Sequence, residues 1–163
     1  MYKNKQIDQI NQIVRICLSS LGMHSPNAER LILGTGAVES SYLYLRQWGN
    51  HYARSYWQIE PPTALDNINN YLVFRKKKLK KVADVCMVTP ELILDLNENS
   101  VSKLLEINLN FAICMARIKY WRVPKKLPKA DDIDALGEYW LKYYNAGGRG
   151  SMKKWTEAQK IIK

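Results

Sequence analysis

Histidine and cysteine are scarce in this 163-residue chain, and several familiar chemical signatures are missing altogether. The two histidines, His24 and His51, have no second His or Cys at metal-ligand spacing, so no metal site is expected. Cys17, Cys86 and Cys114 are far apart, lie in apolar helical surroundings and form no Cys-x-x-Cys pair. That pattern argues for buried thiols in a reducing compartment, against a disulfide framework and against a zinc site. No apolar run is long enough to cross a bilayer, so no transmembrane segment is expected. Met1-Tyr2-Lys3-Asn4-Lys5-Gln6 lacks the apolar stretch of a signal peptide, and the expectation is a product made in the cytoplasm. If it works outside the membrane, another agent must deliver it. P-loop, Rossmann-type glycine and G-x-S-x-G patterns are all absent, so no nucleotide or other cofactor is expected.

What is present is apolar bulk and positive charge. Apolar residues make up 47% of the chain, enough for one domain over residues 1–163 with a real core. The net charge is +10 and the pI about 9.5, which points to an anionic partner: nucleic acid, membrane headgroups or bacterial envelope polymers. The densest charge run is Arg75-Lys76-Lys77-Lys78-Leu79-Lys80-Lys81. It reads modestly better as a solvated helix face or turn than as a polyanion contact.

Taken in order, the chain is mainly helical. Ile7, Ile10, Val14, Cys17, Leu18 and Leu21 form a 3.6-period stripe that Gly22 ends. Ser25-Pro26 reads as an N-cap with proline at the first helical position. From Tyr42 to Tyr52 the helical period is lost in an aromatic stretch, a loop or short hairpin, with 55–59 as a returning strand. Pro61-Pro62-Thr63 opens a helix to about Phe74, and Thr89-Pro90 starts another. Residues 100–121 keep helical spacing throughout and form the predicted central core helix. Pro124 and Pro128 bracket a basic connector, and Asp131 or Asp132 caps a helix to Tyr144. A glycine-rich turn, 145–150, leads to Ser151, which caps a short final helix around Trp155.

The helix opened by Ser25-Pro26 contains Leu33-Gly34-Thr35-Gly36-Ala37-Val38-Glu39-Ser40. Two glycines cost a helix roughly 2 kcal/mol against alanine, which close packing of other backbone against Gly34, Gly36 and Ala37 would offset. Glu39 then lies near the helix end with little polar surface around it. Desolvation raises a carboxyl pKa, as a general acid near neutral pH requires, although most helix glutamates are plain surface residues.

Glu39-Ser40 is the first of three pieces that together resemble the lytic transglycosylase and goose-type lysozyme group of peptidoglycan-cleaving enzymes. The second is Ser55-Tyr56-Trp57-Gln58-Ile59-Glu60-Pro61-Pro62-Thr63-Ala64, similar to that group's G-L-M-Q-I-M-P-x-T-A segment. The third, Tyr144-Asn145-Ala146-Gly147, is similar to its A-Y-N-A-G turn. The resemblance implies a mainly α, lysozyme-like fold with a small hairpin or loop lobe beside the catalytic helix. It further implies Glu39 as general acid and then base, with Ser40, Gln58 and Asn145 bonding sugar N-acetyl groups and the peptide stem. Tyr144 would hold Glu39 by a hydrogen bond. Tyr42, Tyr56 and Trp57 would stack on sugar faces, though each singly reads equally well as core.

The departures from the pattern are specific. Ser55 replaces the group's glycine, Trp57 its methionine, which implies a bulkier cleft floor, and Glu60 an apolar residue. Goose-type lysozymes often carry Trp-Gly-Asp where this chain has Trp48-Gly49-Asn50, leaving Glu60 as the possible second carboxylate. The resulting expectation is cleavage of the MurNAc–GlcNAc linkage of peptidoglycan, giving 1,6-anhydro ends. Size, charge and the N-terminus suit a bacteriophage product made in the host cytoplasm. It would act in the periplasm or wall after holin release, or as a virion component. Its partners would be glycan strands and the anionic envelope. Rival readings are a hydrolytic lysozyme, a virion structural or wall-binding protein with Glu39 idle, and a nucleic-acid binder, for which no recognisable motif exists.

Overall fold

Side-chain caps set most helix starts in the computed structural model, which describes residues 2–162 and the side chains of 5–162. Helix α1 spans Tyr2–Leu21, α2 Pro26–Ser40, α3 Pro61–Asn69, α4 Lys76–Cys86, α5 Pro90–Leu94, α6 Glu98–Ile107, α7 Leu109–Trp121, α8 Ile133–Tyr143 and α9 Met152–Gln159. Short 3-10 turns cover Leu72–Phe74 and Lys160–Ile162. The Ser25 hydroxyl accepts from the Ala28 N–H at 3.1 Å, with Pro26 in the first turn of α2. Thr89 and Ser151 cap α5 and α9 in the same way. Asp132, of the two candidate aspartates, accepts from the Ala135 N–H at 3.0 Å and starts α8. Each such cap satisfies an N–H that has no partner within its helix.

Two helices carry long, mainly apolar stretches that lie inside. Every residue of α2 from Leu31 to Ala37 is buried, as is every residue of α7 from Phe111 to Ile118. Helix α1 packs on α7, and α9 packs on α2 and α8. The glycines of α2 have a steric cause. A Cβ at Gly34 would lie 2.5 Å from the Trp155 ring, and one at Gly36 would lie 2.5 Å from the Tyr42 ring. Gly137 in α8 meets the other side of Trp155, again at 2.5 Å. The close partners are thus aromatic rings rather than the backbone expected from sequence.

The structure corrects three boundaries. The predicted helix over 100–121 is two helices broken at Asn108, whose extended backbone ends α6 while its side chain accepts from the Phe111 N–H at 3.0 Å. The Asn108 amide also donates to the Cys86 carbonyl at 2.9 Å, fixing the break against α4. Helix α3 stops at Asn69 instead of reaching Phe74, and a 3-10 turn follows. Residues 55–59 form no strand. The 42–59 segment has isolated bridges, Arg46 to Arg54 and Arg54 to Ile59, together with turn hydrogen bonds such as Ser55 N–H to the Leu45 carbonyl, in place of a ladder. Ser55 and Gln58 have positive φ, +65° and +45°, and such turns interrupt an extended run. The segment is therefore a loop beside the end of α2. Among the described residues the structure is mainly α, and no helix is long and apolar enough to cross a membrane.

The basic run forms the exposed first half of α4. Lys76 and Lys77 are exposed, Lys80 pairs with Asp84 at 2.8 Å, and Leu79 turns inward. Arg75 lies over the Tyr71 ring at 3.9 Å. The run is thus an exposed basic helix face, a placement compatible with both readings of the sequence.

Candidate active site

Glu39 occupies the penultimate position of α2, where Ser41 in left-handed backbone ends the helix by donating its N–H to the Ala37 carbonyl. Its Oε1 accepts from the Trp140 indole N–H at 2.9 Å and from the Asn145 side-chain amide at 3.5 Å. Both donors are neutral. Burial holds the Glu39 carboxyl above its ordinary pKa, against the lowering effect of those hydrogen bonds and of the Lys119 and Lys154 charges. Position at a helix C-terminus, the negative end of the helix dipole, works in the same direction as burial. The result is a carboxyl group favoured as the acid and fixed in direction by an indole.

Glu39 lines a cleft of about 960 Å³, within the usual size range for ligand sites. One wall holds α2, Trp140 of α8 and the turn after it, with Asn145, Arg149 and Lys154. The opposite wall is the 44–60 loop and the start of α3, with Trp48, Asn50, Gln58, Glu60 and Thr63. Three sequence segments, around Glu39, Gln58 and Asn145, the first and last more than a hundred residues apart, therefore meet in one cavity. The Asn145 side-chain oxygen, Oδ1, accepts from the Gly150 N–H at 2.9 Å, which closes the turn and turns its amide nitrogen toward Glu39. Gln58 donates to the Ser55 carbonyl at 2.7 Å, bracing the left-handed loop. Glu60 occupies the N-cap position of α3 yet makes no capping bond, so its exposed carboxylate is left to the cleft.

Other predicted site residues have different surroundings. Ser40 is fully buried: its hydroxyl donates to the Gly36 carbonyl at 3.2 Å and accepts from the Tyr42 N–H at 3.1 Å. It closes the helix end rather than facing the cleft. Trp57 is buried as well, donating its indole N–H to the Ile32 carbonyl at 2.9 Å, so it belongs to the core and not to a bulkier cleft floor. Tyr42 donates to the Leu33 carbonyl at 2.8 Å, and Tyr56 packs edge-on against both rings, away from the cleft wall. Tyr144 borders the cleft, but its hydroxyl donates to the Trp57 carbonyl at 2.7 Å and not to Glu39. The holding role expected of Tyr144 falls to Trp140. Tyr144 instead ties the helix wall to the loop wall.

Three residues of the site escaped the sequence reading. Trp140 looked like one more apolar residue on α8, and nothing in its spacing separates an indole that reaches a carboxyl from one that packs. Lys119 lines the cleft, donates to the Tyr144 carbonyl at 2.8 Å and lies 4.1 Å from the Tyr144 ring centre. Burial pushes its ammonium pKa down, while Glu39 and Glu60 both push it back up. It is a cation whose charge is felt from both carboxylates of the cleft. Its signal was a lysine, with Arg117, inside the mainly apolar run 111–120. Trp48 lines the cleft and is 85% exposed, so it offers a flat apolar face to solvent. Among the described residues no His, Cys, Asp and Glu group is arranged to hold a metal ion. Comparison with protein families, curated proteins and solved structures yields no match for this chain.

Proposed function

We propose that this protein cleaves the β-1,4 linkage between MurNAc and GlcNAc in peptidoglycan, in bacteriophage lysis or wall penetration. The observation that carries the reading is the convergence of Glu39, the Gln58 segment and the Tyr144-Asn145 turn on one cleft, with the Glu39 carboxyl pKa raised by burial. A further observation supports it. Ser55 stands in left-handed backbone, φ +65°, at the position where the resembled motif carries glycine, the residue that adopts this conformation without strain.

In this reading Glu39 protonates the glycosidic oxygen as the bond to the leaving GlcNAc breaks. The substrate's own N-acetyl oxygen stabilises the positive charge at C1. The Glu39 carboxylate so formed is stabilised by Lys119, Trp140 and Asn145, then takes the proton of the C6 hydroxyl as that oxygen attacks C1. The product is a 1,6-anhydro sugar, no water is consumed, and the nucleophile is held by its own ring. Asn50 stands where a second acid is expected, and an amide cannot serve as a base.

One observation favours a second reading, hydrolysis. Glu60 lies in the same cleft, exposed and uncommitted, and an inverting hydrolase needs a second carboxylate roughly 6.5–9.5 Å from its acid. Digestion of purified peptidoglycan and mass measurement of the muropeptides separates the two. Products lighter by one water support the internal route, whereas hydrated reducing ends, with loss of activity in Glu60→Gln, make the protein a lysozyme.

A further inference from the structure

Cys17, Cys86 and Cys114 are widely separated in sequence, yet the fold gathers them between α1, α4 and α7. Cys17 Sγ and Cys114 Sγ are 3.8 Å apart, and both are buried. Cys86 faces Cys114 from α4. Thiols need no such gathering to fill a core. Their meeting places two oxidisable sulfurs in contact across the pair of helices that packs α1 onto the central α7.

Access differs among the three. A hollow of about 400 Å³, bordered by Ser20, Lys81, Asp84 and Asn110, reaches Cys17, while neither Cys86 nor Cys114 lines it. Cys17 also points its thiol at the Asn110 carbonyl, 3.6 Å away, on that hollow's wall. A small reagent therefore meets Cys17 first. Hydrogen bonding to Cys17 and Cys86, together with burial, holds the Cys114 thiol well above its ordinary pKa, so Cys114 does not react first.

We propose that Cys17 and Cys114 form a redox-dependent disulfide that staples α1 to α7, with Cys17 as the entry thiol. The oxidant is a disulfide, either a small one such as oxidised glutathione or that of a thiol oxidase. Cys17 thiolate attacks one sulfur of that disulfide, forming a mixed disulfide and releasing one thiol. Cys114 thiolate then attacks Cys17 Sγ and releases the second thiol. Two protein thiols lose two hydrogens, and the oxidant's disulfide becomes two thiols. The sulfurs must close from 3.8 Å to about 2.05 Å to form the bond. The bond would join residues 97 positions apart, a span long enough for a large restriction of the unfolded chain. A protein made under reducing conditions and sent to the envelope, as the proposed function requires, would acquire the staple on arrival. The proposal itself rests only on the thiol geometry and stands or falls apart from the activity.

The test treats the folded, full-length protein with oxidised glutathione under native conditions, blocks free thiols, and maps peptides by mass spectrometry without reduction. The expected outcome is a Cys17–Cys114 cross-linked peptide, loss of two hydrogens from the intact mass, and one blocked thiol at Cys86. Cys86→Ser should still form the bond, whereas Cys17→Ser should not. The oxidised form should melt roughly 10 °C higher than the reduced one, in line with a long-loop disulfide in a chain of this size. Persistence of three free thiols, or glutathione retained on Cys17 with no cross-link, overturns the proposal. A bond between Cys86 and Cys114 also overturns it, because the hollow would then not select the reacting thiol.

Discussion

The two walls of the cleft are built in opposite ways. On the helix wall, Glu39 sits at the end of a helix that is buried from Leu31 to Ala37, its carboxyl fixed by Trp140 and Asn145. On the loop wall, Glu60 is exposed at the start of α3 with no capping bond, and Trp48 beside it is open to solvent. Two glutamates in one cavity thus have different chemistry because of what surrounds them. Burial holds the Glu39 carboxyl pKa up against the lowering effect of its hydrogen bonds from Trp140 and Asn145, while Glu60 stands exposed to solvent in the same cleft as Lys119. The difference teaches which wall performs the proposed proton transfer and which shapes the bound strand.

The sharpest break in that contrast is Glu39→Gln. It should keep the fold and lower cleavage by roughly 10²-fold or more, since removal of a general acid removes proton donation to the leaving oxygen. The same variant should be more stable than wild type in mildly alkaline buffer. A carboxyl whose folded pKa lies above its unfolded value costs stability as pH rises from the unfolded carboxyl range through the folded value. Melting curves should therefore separate the two proteins at high pH and bring them together in acid.

Trp140→Phe leaves the carboxyl buried but removes its best donor. A loss of about tenfold in kcat with little change in KM is expected, the size of one charge-assisted hydrogen bond and its orienting effect. An equal loss in KM would make Trp140 a sugar contact instead. Lys119→Met tests the cation whose charge is felt from both carboxylates. Lys119, with Lys154, holds the Glu39 pKa down against burial, so its removal should carry the alkaline fall of the pH–rate profile to higher pH. Lys119→Arg should restore the wild-type profile. The smallest change is expected for Glu60→Gln, within a few-fold of wild type under the internal route, and a loss comparable to that of Glu39→Gln would erase the contrast between the walls.

The helix wall was the more legible of the two in the sequence. Caps such as Ser25-Pro26 and Ser151 act through bonds only a few residues long, and the apolar run 111–118 announces a buried helix whatever it packs against. Gly34 and Gly36 signalled close packing, but the rings that fill the space, Trp155 and Tyr42, come from distant or turned segments that periodicity does not locate. Asn108 broke a helix that apolar spacing carried straight through, because its side chain satisfies the next helix's start while its amide reaches α4. In the site, Glu39, Gln58 and Asn145 were found from motif order. Ser40, Trp57 and Tyr144 were given sugar or acid contacts that their hydrogen bonds direct elsewhere. Motif order names a position, while the direction of its side chain follows from the three-dimensional neighbours. The gathering of the three thiols escaped the sequence for the same reason.

The central claim is that Glu39 on the helix wall is the acid that breaks the glycan strand. Purified peptidoglycan digested side by side with wild type and Glu39→Gln, at matched folded concentration confirmed by circular dichroism, tests it most directly. The account predicts soluble muropeptides with 1,6-anhydro ends from wild type and a release lower by two orders of magnitude or more from the variant. Equal release by both proteins, or none from wild type on walls that an unrelated muramidase dissolves, would contradict it.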